Sequence, residues 1–234
     1  MEIEGKVVIL TGASQGIGLA TSRHLASLGA RLVLAARSAD ALEALAKELP
    51  GSLAVPADVR KDADVSALVD KTVKHFGRVD ILVNVAGQAM WAPVADIDLA
   101  HYRDLLELNV IGYLRTMQAI IPVMRSQGGG MIVNVSSMVS TMYIPNLSGY
   151  ASTKYALNAL TLTARAELEP DGIVVSLIRP KLVETDFGRN AAMPEPDFLR
   201  DRANPSAPPM DTPEFVAEKI AELVRSEAAE LNLG

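Results

Sequence analysis

The chain has 234 residues, 49% of them hydrophobic, enough for one α/β domain to bury a core without covalent staples. It contains no cysteine, which excludes disulfides, thiolate metal sites and cysteine nucleophiles and fits a reducing compartment. Lys and Arg number 22 against 28 Asp and Glu, a net charge of −6 that argues against a nucleic-acid partner.

Taken in order, the chain opens Met1-Glu2-Ile3-Glu4-Gly5-Lys6, without the basic and apolar regions of an export signal. Every apolar run stops short of the roughly 18 residues that cross a bilayer, so a cytoplasmic protein with no membrane contact is expected. A β-branched strand at 6–10 leads into Thr11-Gly12-Ala13-Ser14-Gln15-Gly16-Ile17-Gly18 and then a helical pattern over 17–28. A glycine turn between strand and helix is where a nucleotide pyrophosphate binds: Gly12 turns the chain, Gly16 admits the ligand and Gly18 lets helix and strand pack closely. Its spacing, Gly-x-x-x-Gly-x-Gly, differs from the commoner Gly-x-Gly-x-x-Gly.

Strand 31–35 ends in Ala35-Ala36-Arg37-Ser38 and is followed by helix 39–48, strand 53–55, the pair Asp58-Val59 and helix 62–76. Strand 80–84 runs into Asn84-Val85-Ala86-Gly87, and helix 101–126 carries Asn109. Strand 131–135 precedes Ser136-Ser137, of which strand alternation lets only one face a site. Helix 149–168 carries Tyr150-Ala151-Ser152-Thr153-Lys154, and strand 173–178 leads to Pro180-Lys181-Leu182-Val183-Glu184-Thr185. Residues 186–212 contain Pro194, Pro196, Pro205, Pro208 and Pro209 and cannot form one helix; they read as a substrate flap or as a plain surface loop. A helix over 213–228 follows. This alternation predicts an α/β fold, a single-domain Rossmann fold over 1–234 with a doubly wound parallel sheet and helices on both faces.

Tyr150 and Lys154 stand four apart, on one face of their helix. A tyrosine of ordinary pKa about 10 needs a nearby positive charge to exchange protons near neutrality, and Lys154 is placed to supply it. His24, His75 and His101 show no metal-ligand spacing, and no metal is expected.

From Gly5 to about Val224 the chain resembles the short-chain dehydrogenase/reductase family, on the glycine turn, Asp58-Val59, Asn84-Val85-Ala86-Gly87, Asn109, Ser137, Tyr150 with Lys154, and Pro180 to Thr185. The resemblance implies that Asp58 and Val59 contact adenine and that Tyr150 is the general acid/base. Ser137, thirteen residues before it, would hold the substrate oxygen, and Asn109 would seat a water relaying protons from Lys154. Val183 and Thr185 would support the cofactor, with Lys181 standing where the family has glycine. At Arg37-Ser38 no carboxylate is placed to grip a ribose 2′-hydroxyl, and arginine suits a 2′-phosphate, so NADP(H) is expected before NAD(H). Gln15 departs from the basic residue that many NADP-using relatives carry in the turn.

Met90, Trp91, Met138, Met142, Tyr143 and Met193 flank these motifs and suggest an apolar, adaptable substrate pocket. Lys181 reads either as a cation favouring an anionic substrate or as a solvent-facing lysine. Leu231-Asn232-Leu233-Gly234 falls where the family continues through a seventh strand, so only six strands are assigned. A homodimer or homotetramer pairing through 101–126 and 149–168 is implied by resemblance. The activity expected is hydride transfer between nicotinamide and a carbonyl or secondary alcohol; a dehydratase or epimerase on the same frame and a non-catalytic NADP(H) sensor are the alternatives.

Overall fold

In a computed structural model, which describes residues 1–187 and 209–233, seven strands form one parallel sheet. They are β1 (Val7–Thr11), β2 (Arg31–Ala36), β3 (Leu53–Pro56), β4 (Ile81–Asn84), β5 (Gly130–Val135), β6 (Ile173–Pro180) and β7 (Glu230–Leu233), in the order β3-β2-β1-β4-β5-β6-β7. Consecutive apolar residues in these strands must be covered on both faces, because neighbours point to opposite sides. Val8 and Leu10 of β1 join Leu32, Leu34, Ile81, Val83 and Val133 in a core against α1 (Gly16–Ser27), α2 (Ala39–Glu48) and α7 (Pro213–Ser226). Ile9 faces the other way, with Val33, Leu82, Ile132 and Val175, against α3 (Asp62–Phe76), α5 (Gly112–Ser126) and α6 (Ser148–Leu168). The result is the doubly wound Rossmann sheet that the strand-helix alternation leads one to expect.

Two elements differ from the sequence reading. A seventh strand is present: β7 extends the sheet beyond β6, with Leu177 opposite Glu230 and Pro180 opposite Leu233. Its four residues alternate polar and apolar and include no β-branched side chain, so the usual strand signal is absent; Arg179 of β6 fixes it by hydrogen bonds to Glu230 and Asn232. The expected helix over 101–126 is interrupted, running as α4 (Leu99–Leu106), a π turn (Glu107–Ile111) and α5. The wide turn points Asn109 into the protein while Gly112 presses on the loop after β3, where a Cβ would lie 2.9 Å from Val59 Cγ2.

The strand order places the site. From β1 the chain winds outward through β2 and β3, then returns to the other side of β1 as β4 and winds away through β5, β6 and β7. The segments after β1 and β4 therefore leave in opposite directions and open a crevice at the carboxyl ends of these strands. Gly18 keeps α1 tight against that edge: a Cβ there would lie 2.1 Å from the Gly12 carbonyl oxygen. Backbone cannot yield that far, so Gly18→Ala is expected to cost about 3 kcal/mol or more and to lower Tm by roughly 6–12 °C, which thermal unfolding would register.

Candidate active site

The crevice is a cavity of about 1220 Å³, beyond the usual 300–1,000 Å³ of small-molecule pockets and roomy enough for two ligands together. One arm begins at Gly12, Ser14, Gln15, Gly16 and Ile17. Gly12 takes φ +71, and a Cβ there would lie 2.8 Å from the Ala86 nitrogen, so the turn closes against the segment after β4 only as glycine. The N-terminus of α1 has no side-chain cap and no acidic residue in its first turn, which leaves its amides and dipole to an anion. Gly18 is not part of the cavity wall; its contribution is the close packing of α1 described above.

Arg37 and Ser38, both exposed, lie in the wall beyond the end of β2, and Ser38 also caps α2 by accepting from Ala41 N at 3.4 Å. Asp58 and Val59 lie there too. Arg60 grips both Asp58 oxygens, at 3.0 and 2.6 Å, and these hydrogen bonds hold its carboxyl down at about 2, with the Arg37 charge adding to the effect. Ala86, Gly87, Pro180, Val183 and Thr185 complete the wall between the glycine turn and the inner end of the cavity.

At the inner end stand Ser137, Tyr150 and Lys154. Ser137 lies past the end of β5 and begins a 3-10 turn, its hydroxyl accepting from Val139 N at 3.3 Å. Its neighbour Ser136 also borders the cavity, but its hydroxyl is engaged with the Asn158 amide at 2.6 Å. Burial pushes the Tyr150 phenol above its ordinary range, and a hydrogen bond with Ser137 opposes that rise. Lys154, one helical turn on, is 3% exposed, and burial alone brings its ammonium down from 10.5 to about 7. Its Nζ donates to the Val135 carbonyl at 3.0 Å and stands 5.9 Å from the Tyr150 ring centroid.

The two asparagines stand back from the cavity wall. Asn109 is fully buried, its amide donating to Gln88 O at 2.9 Å and Thr153 Oγ1 at 3.1 Å while its oxygen accepts from Gln88 N. Both donors being spent, the side chain clasps the loop after Gly87 to α6 and does not itself present a donor to a relay water. Asn84, expected among the cofactor contacts, is buried in a network with Thr11, Thr116 and Asn134 that ties β1, β4 and β5 to α5.

Of the expected substrate residues, Trp91, Met138, Met142 and Lys181 line the cavity. Met90 does not: it is 1% exposed and its sulfur fills the space beside Gly149, where a Cβ would lie 2.9 Å from it. Tyr143 is 93% exposed and stacks on Tyr155 at 6.2 Å, in a neighbouring surface groove. Lys181 is paired with Asp211 at 3.5 Å, so its charge is already committed. Met193 and residues 188–208 of the expected 186–212 flap lie outside the described residues. Sequence reasoning missed Phe187, 5.8 Å ring to ring from Tyr150 and without any pattern to announce it, and Tyr113. Tyr113 did leave a signal, being the aromatic member of the buried helical stripe Tyr113, Met117, Ile120, Met124.

A parallel sheet wound outward in both directions from β1 and β4, with a glycine-bounded crevice at the switch point and a tyrosine, a lysine and a serine at its inner end, defines a nicotinamide-binding oxidoreductase of the Rossmann class. The short chain dehydrogenase family model matches residues 6–195, and the chain belongs to the short-chain dehydrogenase/reductase family. It is 36% identical over 227 residues to the granaticin polyketide synthase putative ketoacyl reductase 2 of Streptomyces violaceoruber, covering 95% of this chain and 91% of that one. A 3-ketoacyl-(acyl-carrier-protein) reductase from Brucella melitensis complexed with NADH superposes with a TM-score of 0.87 at 28% identity, covering 99% and 97% of the two chains. An alcohol dehydrogenase from Thermococcus sibiricus complexed with 5-hydroxy-NADP gives 0.85 at 32% identity, covering 98% and 96%. Among the described residues no helix is long and apolar enough to cross a membrane.

Proposed function

We propose that this protein is an NADP(H)-dependent carbonyl reductase or alcohol dehydrogenase in which Tyr150 carries the proton. The observation that supports it most is that Tyr150, Ser137 and Lys154 share one cavity with the glycine turn, the ammonium standing 5.9 Å from the Tyr150 ring. The residues present fit a dinucleotide: Gly12 gives a close backbone turn, the amides of α1 meet phosphates, and Arg37 with Ser38 suits a 2′-phosphate where a carboxylate would repel it. When bound, the nicotinamide supplies or accepts the hydride.

The protein's part is to hold the carbonyl oxygen and move one proton. Ser137 donates a hydrogen bond to that oxygen, and Tyr150, kept protonated by burial, transfers its phenolic proton there as negative charge develops. The Lys154 ammonium stabilises the phenolate left behind. Asn109 fixes the loop after Gly87 through Gln88, acting as a positioning residue. Around the reacting end Trp91, Met138, Met142, Ile144, Leu147 and Phe187 are predominantly apolar, and Lys181 is paired, which together favour a neutral carbonyl on an apolar body. Leu99, Ile111 and Tyr155 leave apolar surface on α4, the π turn and α6 that suits pairing with a second copy.

The pH dependence follows with a definite sign. Because Lys154 loses its proton near 7, kcat/KM for carbonyl reduction is expected to be highest below that pH and to fall as pH rises through it; a profile flat to pH 9 would speak against the role of the ammonium. Arg37→Asp replaces the phosphate partner with a group that repels it, and is expected to weaken NADPH binding at least tenfold, about 1.4 kcal/mol, and shift preference toward NADH. Titrations of both reduced cofactors against the variant check this, and unchanged NADPH affinity would remove the basis for NADP(H).

A further inference from the structure

We propose that Tyr113 is a positioning residue for the reaction, holding the Lys154 ammonium in place by lending it a ring face and sharing its hydrogen-bond acceptor, the Val135 carbonyl. This deepens the functional reading above and rests on it. Tyr113 lies in the first turn of α5, is 1% exposed, and is otherwise unused by the mechanism. Its hydroxyl donates to Val135 O at 3.2 Å, and Lys154 Nζ donates to the same oxygen at 3.0 Å. The ammonium stands 5.3 Å from the Tyr113 ring centroid and 5.9 Å from that of Tyr150, within the roughly 6 Å over which a cation is attracted by an aromatic face.

The position has a physical logic. A buried ammonium has three donors to satisfy, and Val135 O takes one of them. Facing it are Tyr113 from α5, Tyr150 from its own helix, the Val135 carbonyl from β5, and, across Gly87, the Asn109 amide oxygen of the π turn. Burial is what displaces its titration, and among the described residues no carboxylate acts on it as counter-ion. The Tyr113 ring therefore takes over part of what a carboxylate would do, stabilising the charge without neutralising it. It also avoids a carboxylate that would pin Lys154 away from Tyr150. The hydroxyl anchors the ring to β5 at the strand end that Ser137 follows, so ring, lysine and serine are referenced to one backbone point.

The test is a titration of the Lys154 ε-methylene signal by NMR in the full chain labelled at lysine, for the wild type, Tyr113→Leu and Tyr113→Phe. Tyr113→Leu removes the ring face and is expected to lower the Lys154 midpoint by about half to one pH unit, moving the alkaline limb of the kcat/KM profile with it. Tyr113→Phe keeps the face and leaves Val135 O to the lysine alone, so its midpoint should equal or exceed that of the wild type. A Leu midpoint coincident with the wild type, or a Phe midpoint depressed as far as Leu, would overturn the proposal, since a purely structural role lowers Tm without moving Lys154. Should the Leu variant not fold, the wild type and Phe variant still decide: their ε-methylene protons must be displaced by the ring current of Tyr113 or Phe, and an ordinary shift refutes it. An inactive wild type with Lys154 displaced as expected would refute the hydride-transfer reading and leave the Tyr113 contact standing. An active wild type with an unmoved midpoint would do the reverse.

Discussion

Tyr150→Phe is expected to lower kcat/KM for carbonyl reduction by about a hundred- to ten-thousand-fold, the range contributed by one positioned acid. The ring stays in its place against Phe187, and the Ser137 hydroxyl keeps its contact with Val139 N, so removal of the phenolic oxygen strands no buried partner. Stability should therefore change by no more than about 1 kcal/mol, and cofactor affinity should stay within a few-fold of the wild type. Steady-state kinetics beside a thermal melt and a cofactor titration separate the loss of chemistry from a loss of structure. Retention of more than a tenth of the activity would show that another group delivers the proton.

Lys154→Met should do something less usual: remove activity and raise stability. In the unfolded chain the lysine keeps its proton up to about 10.5, whereas in the folded protein burial makes it yield the proton near 7. Between those values the unfolded state binds the extra proton, so stability rises with pH; at pH 7 and below the folded state bears nearly the whole cost of the buried charge. Methionine fills a similar volume without that charge, and Val135 O retains the Tyr113 hydroxyl as donor. After allowing for the lost hydrogen bond, a gain of roughly 2–4 kcal/mol is expected at pH 7, shrinking toward pH 10.5. The phenolate meanwhile loses its stabilising charge, and kcat/KM should fall by at least about a hundredfold. Urea unfolding at pH 7 and pH 10 measures the first effect; a variant less stable than the wild type at pH 7 would mean that the ammonium supports the fold.

That trade follows from features that are legible in the sequence. Six strands and their helices announce themselves by β-branched runs and 3.6-residue periodicity, and the glycine turn is informative because it sits between β1 and α1. Tyr150 and Lys154 declare themselves through helix geometry, which fixes the direction of side chains four apart. Where the backbone has no period, direction is lost. Met90 and Trp91 are adjacent in an irregular segment, yet one fills the space beside Gly149 and the other lines the cavity. Tyr143 lies seven residues before Tyr150 in sequence but points to solvent. Asn84 and Asn109 enter the site reading through the family resemblance alone, and it is the threonines and backbone groups that meet them in space that reveal two internal networks. β7 was illegible for a related reason, since its place is set by Arg179 and the free edge of β6 more than by its own four residues.

What most directly tests the account is transfer of deuterium from NADPH labelled at carbon four of the nicotinamide, with product alcohols from a panel of apolar neutral ketones analysed by mass spectrometry. The wild type should place one deuterium on the former carbonyl carbon, and Tyr150→Phe, still binding NADPH, should place almost none. Tight NADPH binding with no label in any product, or equal labelling by the two proteins, would contradict it.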